Sequence, residues 1–253
     1  MNIEQLKLTA KNMVQVGKGI LAADESTPTC TKRFNLLGIE STDLNRNKYR
    51  DLLFTTPKIE DFISGVIMFD ETFRQSTRCN EKQLFPDYLL SKGLIPGIKV
   101  DKGAIELAGF EGEKITEGLD GLRDRLIEYY TLGARFAKWR AVIVVDEHLP
   151  SSCAVEVNAH ALARYAALCQ ESGLVPIVEP EVLMDGTHDL DRCYSVTTEV
   201  LYKTFDQLNS QNVNLRGIVL KPNMIIDGIK NINQSSPEKV ARKTVECFLS
   251  CVP

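Results

Sequence analysis

The sequence has no Gly-x-Gly-x-x-Gly after its first apolar run and no Gly-Lys-Ser or Gly-Lys-Thr loop. Without either glycine-built phosphate cradle, nucleotide-binding versions of an α/β fold lose ground. No apolar run approaches membrane length, which takes about 20 consecutive residues for a helix, so no membrane partner is expected. The N-terminus lacks a basic head followed by an apolar core, and it does not read as a secretory signal. Only three histidines are present, His148, His160 and His188. Their spacing matches no metal motif, so they read as surface or local hydrogen-bonding residues and no metal is expected. Cys30, Cys79, Cys153, Cys169, Cys193, Cys247 and Cys251 form no Cys-x-x-Cys pair. An odd, scattered set reads as reduced thiols in a cytosolic enzyme. Positive charge is not in excess either. With 30 Lys and Arg against 34 Asp and Glu, the formal net charge is -4, which argues against nucleic acid as a partner.

What is present is an ordinary globular composition, 43% hydrophobic and 25% charged over 253 residues. The length suits one large α/β domain, expected here to occupy residues 1–253. Short apolar runs recur: Ile20–Asp24, Gly65–Asp70, Ile95–Asp101, Ala134–Val145, Val175–Val182 and Leu215–Met224. Their starts lie roughly 30 to 45 residues apart, room for a crossover helix each time. Helical patterns fill the gaps at Ile3–Val16, around Lys32 and Arg33, from Asn45, at Gly118–Leu132, Val155–Glu171, Asp189–Asn209 and Ser236–Ser250. Strands alternating with helices imply a parallel sheet, either a barrel or doubly wound.

Side-chain parity favours the barrel. Residues two apart on a strand share a face. Ala22 and Asp24, Gly97 and Lys99, Lys138 and Arg140, Glu179 and Glu181, and Val219 and Lys221 would each point to the barrel axis. The charged members then meet at one mouth. Five strands ending in inward charges are costly unless the charges are paired or used.

The last strand organises the chemistry. Ile218-Val219-Leu220 is an apolar run between Gly217 and Pro222, and proline ends a ladder. It reads as a short buried strand delivering Lys221 at its carboxyl end, where α/β enzymes place their chemistry. A strand-end lysine alone also fits a solvent-facing side chain. Held against apolar neighbours it would tend to lose its proton, and a neutral amine forms a Schiff base with a carbonyl. The resulting iminium draws electrons from a neighbouring carbon–carbon bond. Glu179 or Asp24 can take the hydroxyl proton that this cleavage releases. Lys138 near Lys221 would favour the neutral amine by like-charge repulsion. Lys99, Arg140, Arg33 and Arg46 supply more cations than catalysis needs, which points to an anionic substrate such as a phosphate ester. Arg33 and Arg46 fit solvated helix faces equally well. Trp139, of opposite parity to Lys138, reads as packing beneath a helix.

Five stretches carry a family resemblance: Gly19–Thr27, Gly97–Gly103, Ala137–Arg140, Val175–Glu181 and Leu220–Met224. On them the chain resembles the class I, Schiff-base fructose-bisphosphate aldolases over its whole length. The resemblance implies a (β/α)₈ TIM barrel of which these residues supply about the first six βα units. It implies the glycolytic lyase reaction, reversible cleavage of fructose 1,6-bisphosphate to dihydroxyacetone phosphate and glyceraldehyde 3-phosphate. Lys221 becomes the Schiff-base lysine and Glu179 the principal acid/base. Asp24 and Lys138 assist proton transfer, and Glu181 joins the catalytic set. Ser26, Arg33, Arg46 and Lys99 correspond to positions near substrate phosphates, with Arg140 and the hydroxyl of Thr29 as further substrate contacts. The family needs no metal or cofactor, and is usually a cytosolic or plastid homotetramer; here a cytoplasmic location is expected. Two departures stand out. Pro28 and Thr29 replace a glycine- and serine-containing segment, and the family continues beyond Pro253 with further βα units. The alternative is therefore a truncated, catalytically impaired relative serving as a binding or scaffold module.

Overall fold

Glycine and aromatic residues lock neighbouring strands together. Gly97 and Phe136 are register partners on adjacent parallel strands, and the Phe136 ring fills the space that a Cβ on Gly97 would need. The computed structural model describes residues 2–78 and 82–253; Cys79 lies outside them. In chain order the elements begin with α1 (Ile3–Met13), β1 (Gly19–Ala23), α2 (Thr27–Asn35), α3 (Asp43–Phe54) and α4 (Ile59–Phe62). Next come β2 (Ile63–Met68), α5 (Asp70–Phe73), α6 (Phe85–Ser91), β3 (Ile95–Lys99), β4 (Gly103–Glu106) and β5 (Lys114–Glu117). The chain continues with α7 (Leu122–Thr131), β6 (Phe136–Ile143), α8 (Ser152–Glu171), β7 (Val175–Val182) and α9 (Leu190–Ser210). A 3₁₀ turn (Leu215–Gly217), β8 (Val219–Leu220) and α10 (Pro237–Cys251) follow. β1 with β2, β2 with β3, β3 with β6 and β7 with β8 pair in parallel, with helices between most strands, which makes this an α/β fold.

The residues fall into two compact units. The first holds residues 1–100, 123–138 and 169–176. Its strand order is β1-β2-β3-β6. Val66, Ile67 and Met68 of β2 are buried, as are Phe54, Phe73 and Phe85 of the surrounding helices. Phe54 and Phe85 meet edge to face at 5.0 Å, and Phe73 and Tyr129 do so at 5.9 Å, the arrangement that ring quadrupoles favour. Two of its helices start on side-chain caps: for α1, Asn2 accepts from the Gln5 N–H at 3.1 Å, and for α3, Thr42 accepts from the Asn45 N–H at 3.1 Å.

The second unit holds residues 101–122, 139–168 and 177–253, with strand order β6-β7-β8. One apolar cluster joins Ile143, Val155, Val182, Val196 and Val200. Another joins Leu190, Leu201, Ile225, Cys247 and Cys251. Trp139 stacks on Tyr165 of α8 with ring centroids 5.5 Å apart. Asp189 caps α9 by accepting from the Arg192 N–H at 2.8 Å. The antiparallel pair β4 and β5 was not expected from the sequence.

Other differences have local causes. Val16 stands fully exposed beyond α1, which ends at Met13 before Gly17 takes a positive φ of 80°. Asp70 opens α5 rather than ending a strand. The expected strand, Ile218 to Lys221, is narrowed to Val219–Leu220, preceded by a 3₁₀ turn over Leu215–Gly217 in which Asn214 accepts from the Arg216 N–H at 3.0 Å. Ile218, Val219 and Leu220 are half-buried, not buried, since β8 is an edge strand. His188 is buried rather than at the surface, and that burial holds its imidazole pKa below the ordinary value.

Candidate active site

In the first unit, β1 delivers Asp24 at its carboxyl end and β6 delivers Lys138. Both side chains are buried, and Lys138 Nζ donates to Asp24 Oδ2 at 3.0 Å. Lys99 is the register partner of Lys138 on β3. Burial of this kind is tolerated because each charge neutralises the other. The loop after Asp24 begins α2. Ser26 occupies the N-cap position without a capping side-chain bond, and its Oγ lies 3.2 Å from Thr29 Oγ1. Arg33 on α2 donates to Glu25 and is 58% exposed along its side chain. Arg46 on α3 is held far more tightly. Its side chain is 13% exposed, and it donates to both oxygens of Glu71 at 2.7 and 2.6 Å and to the Ser41 carbonyl at 2.6 Å. The Glu71 hydrogen bonds raise its pKa above the ordinary guanidinium value.

In the second unit, β7 carries Glu179 and Glu181 two residues apart on one face. Lys221 follows β8, with its N–H on the Val178 carbonyl at 2.9 Å. Lys221 Nζ donates to Glu179 Oε1 at 2.5 Å. The pair is asymmetric: the lysine side chain is 52% exposed and the carboxylate 4%. The sequence left open whether Lys221 is held against apolar neighbours or reaches solvent; in the structure it is half-exposed and faces a buried carboxylate. Arg140 of β6 donates through Nε to Glu181 Oε2. Burial pulls the Arg140 pKa down, but the bond to Glu181 and the charges of Glu181, Glu179 and Asp101 outweigh that and raise it.

Parity thus brings together Asp24 with Lys138, Glu179 with Lys221, and Arg140 with Glu181. Partners that the sequence reading missed are Glu25 and Arg50, which meet at 2.8 Å, Tyr49, and Glu71. Asn223 was missed too; its Oδ1 accepts from the Val182 N–H at 3.2 Å and its Nδ2 donates to Thr197 Oγ1 at 3.0 Å. Glu25 had a signal, since it adjoins Asp24 inside a motif. Among the described residues, no group of three or more His, Cys, Asp or Glu has the geometry to hold a metal ion. Nor is any helix among the described residues long and apolar enough to cross a membrane.

Comparison with known families decides what this arrangement belongs to. The family model of class I fructose-bisphosphate aldolase, a glycolytic family, matches residues 5–253. The chain belongs to that family. A probable class 1 fructose-bisphosphate aldolase of Xanthomonas campestris is 60% identical over all 253 residues, which cover 75% of that protein. The cytoplasmic fructose-bisphosphate aldolase isozyme of Spinacia oleracea is 49% identical over 99% of this chain and 69% of its own length. A Plasmodium falciparum fructose-bisphosphate aldolase, solved with TRAP and a small-molecule inhibitor, superposes with a TM-score of 0.96. It is 46% identical over 99% of this chain and 72% of that one. For this aldolase chain the strand-end lysines and carboxylates are therefore the place to look for chemistry.

Proposed function

We propose that the chain is a fructose-bisphosphate aldolase, cleaving fructose 1,6-bisphosphate to dihydroxyacetone phosphate and glyceraldehyde 3-phosphate through a Schiff base on Lys221. The observation that carries this reading is the 2.5 Å contact between Lys221 Nζ and Glu179 Oε1. A carboxylate in that position is placed to act as the general base that accepts the lysine's proton as the amine attacks. The amine attacks the ketone carbon to give a carbinolamine. Glu179, now protonated, returns its proton to the departing hydroxyl, and water leaves with formation of the iminium. The bond between the third and fourth carbons then breaks. Its electron pair flows to the iminium as an enamine, while a carboxylate accepts the hydroxyl proton of the fragment that becomes the aldehyde. Glu179 serves as principal acid/base, and the Asp24–Lys138 pair assists proton transfer. Glu181 orients Arg140. Arg33, Lys99 and Arg140 serve as anion contacts, with Ser26, Thr29 and Arg46 beside them. The same proposal takes the fold as the family's (β/α)₈ barrel, one domain over residues 1–253, and the enzyme as a cytoplasmic homotetramer that uses no cofactor. The binding or scaffold alternative is not favoured, because the proposed nucleophile and acid/base are in contact.

The test is covalent. The chain is incubated with dihydroxyacetone phosphate and borohydride, and the adduct is mapped by mass spectrometry. A reduced adduct on Lys221, abolished by Lys221→Ala, is the expected result. No adduct from a chain shown to be folded by circular dichroism refutes the reading.

A further inference from the structure

Glu25 sits one residue beyond Asp24, and its carboxylate is shared. Oε1 accepts from Tyr49 Oη at 3.1 Å and from Arg33. Oε2 lies 2.8 Å from Arg50 Nη1. Arg50 is 2% exposed, and its other terminal nitrogen, Nη2, donates to the main-chain carbonyl of Glu25 at 2.9 Å. Cys30 Sγ meets the same carbonyl at 3.7 Å, and the Arg50 guanidinium lies 4.9 Å from the Tyr49 ring centroid. Nη2 also donates to Cys30 Sγ at 3.6 Å, but both oxygens that meet this buried cation come from one residue, its side chain and its backbone. Rotating Glu25 about either its backbone or its side chain breaks one of the two contacts.

That arrangement exceeds what packing requires. A buried ion pair contributes little net stability compared with apolar groups of the same volume, whereas a planar guanidinium that pairs with the carboxylate through Nη1 and hydrogen-bonds the carbonyl through Nη2 constrains both at once, as a single ammonium cannot. The peptide it fixes is the one that follows Asp24, whose carboxylate must meet Lys138. The carboxylate it fixes is the one that holds Arg33. We infer that Arg50, acting through Glu25, is a positioning residue that sets Asp24 for proton transfer and Arg33 for the substrate's phosphate. This rests on the proposed aldolase reading.

The test compares wild type, Arg50→Lys, Asp24→Asn and the Arg50→Lys/Asp24→Asn double variant in steady-state cleavage of fructose 1,6-bisphosphate, with thermal midpoints in parallel. Lysine keeps the charge but cannot reach both acceptors. Arg50→Lys is expected to lower kcat by about 10- to 100-fold, the scale of a misplaced reacting group, and to raise KM through Arg33. In the Asp24→Asn background the same change is expected to alter kcat less than about twofold, because the group it positions is already gone. A folded Arg50→Lys enzyme with kcat within twofold of wild type overturns the inference, and so does an equal loss in both backgrounds. If Arg50→Lys does not fold, the isosteric Glu25→Gln takes its place, with the same expectations and the same refuting results. Wild type that neither cleaves nor forms the borohydride adduct refutes the aldolase reading itself, and this inference with it. Wild type that turns over while the variants match it refutes the inference alone.

Discussion

Gly97→Ala should destabilise the first unit and disturb Lys138 at once. A Cβ on Gly97 would stand 2.6 Å from Cδ2 of Phe136 and closer still to Cζ and Cε2. Carbon atoms pack at about 3.5–4.0 Å, so the ring must retreat by roughly 1 Å or more. It has nowhere to go. Phe136 is fully buried, and its ring already packs so closely on Gly65 of β2 that a Cβ there would stand 3.0 Å from Cε1. Overpacking a filled core costs about 1–3 kcal/mol, and three ring atoms displaced together put this change near the upper end. Urea unfolding followed by far-UV circular dichroism measures it: at a slope of about 3 kcal/mol per M the midpoint should fall by roughly 1 M. Lys138 lies two residues beyond Phe136 and pairs in register with Lys99, so turnover should fall in the same variant. Phe136→Leu makes room, and the double variant should be more stable than the two single effects predict, by at least about 1 kcal/mol of coupling. A Gly97→Ala protein within about 0.5 kcal/mol of wild type, or strict additivity in the double variant, refutes the packing argument.

Two further outcomes follow from contacts around the same strands. Asn223→Ala removes the bonds to the Val182 N–H and the Thr197 hydroxyl. It should cost about 1–3 kcal/mol in urea unfolding and slow borohydride trapping at Lys221, and an unchanged trapping rate would count against Asn223 as the brace of that strand end. Tyr129 tests the alkaline limb of stability. Burial, the hydrogen bond to Asp70 and the Asp70 charge push its pKa to about 12. In the unfolded chain the phenol ionises near the usual value of about 10. Between those two values the unfolded state binds fewer protons than the folded one, so stability falls as pH rises, by roughly 2–3 kcal/mol in all. Tyr129→Phe should abolish that part of the decline between about pH 10 and 12. An identical slope in the variant would assign the decline to other groups.

The sequence reading reached furthest where side-chain period alone decides the outcome. The β7 strand has its expected bounds, Val175–Val182, because Val175, Ile177, Val178 and Val182 are β-branched and the run lies between the turn residues Gly173 and Asp185-Gly186. It stopped at properties that belong to neighbours. The run at Ile218–Leu220 is as apolar as that of any buried strand, yet its burial depends on a strand on each side, and β8 has only β7. The hairpin of β4 and β5 escaped because Ile105 in the middle of β4 is exposed, which blurs the alternation that marks a strand. Which charges pair with which escaped for a related reason. Arg46 and Glu71 are 25 residues apart and Arg140 and Glu181 are 41 apart, so no local pattern announces them. This bears directly on function. Counted from the sequence, the cations around the strand ends look like a surplus awaiting an anion. In the structure Lys138, Lys221, Arg33, Arg46 and Arg140 each hold a carboxylate. On the proposed reading, a substrate phosphate would compete with resident carboxylates rather than meet bare charge, and its binding energy would be the difference between two ion pairs. Exposed Arg33 can change partners at little cost. Arg46, held on both sides and largely buried, cannot. The most accessible of these guanidiniums are thus the ones best placed to discriminate substrate, and the buried ones are best placed to hold the strand ends still.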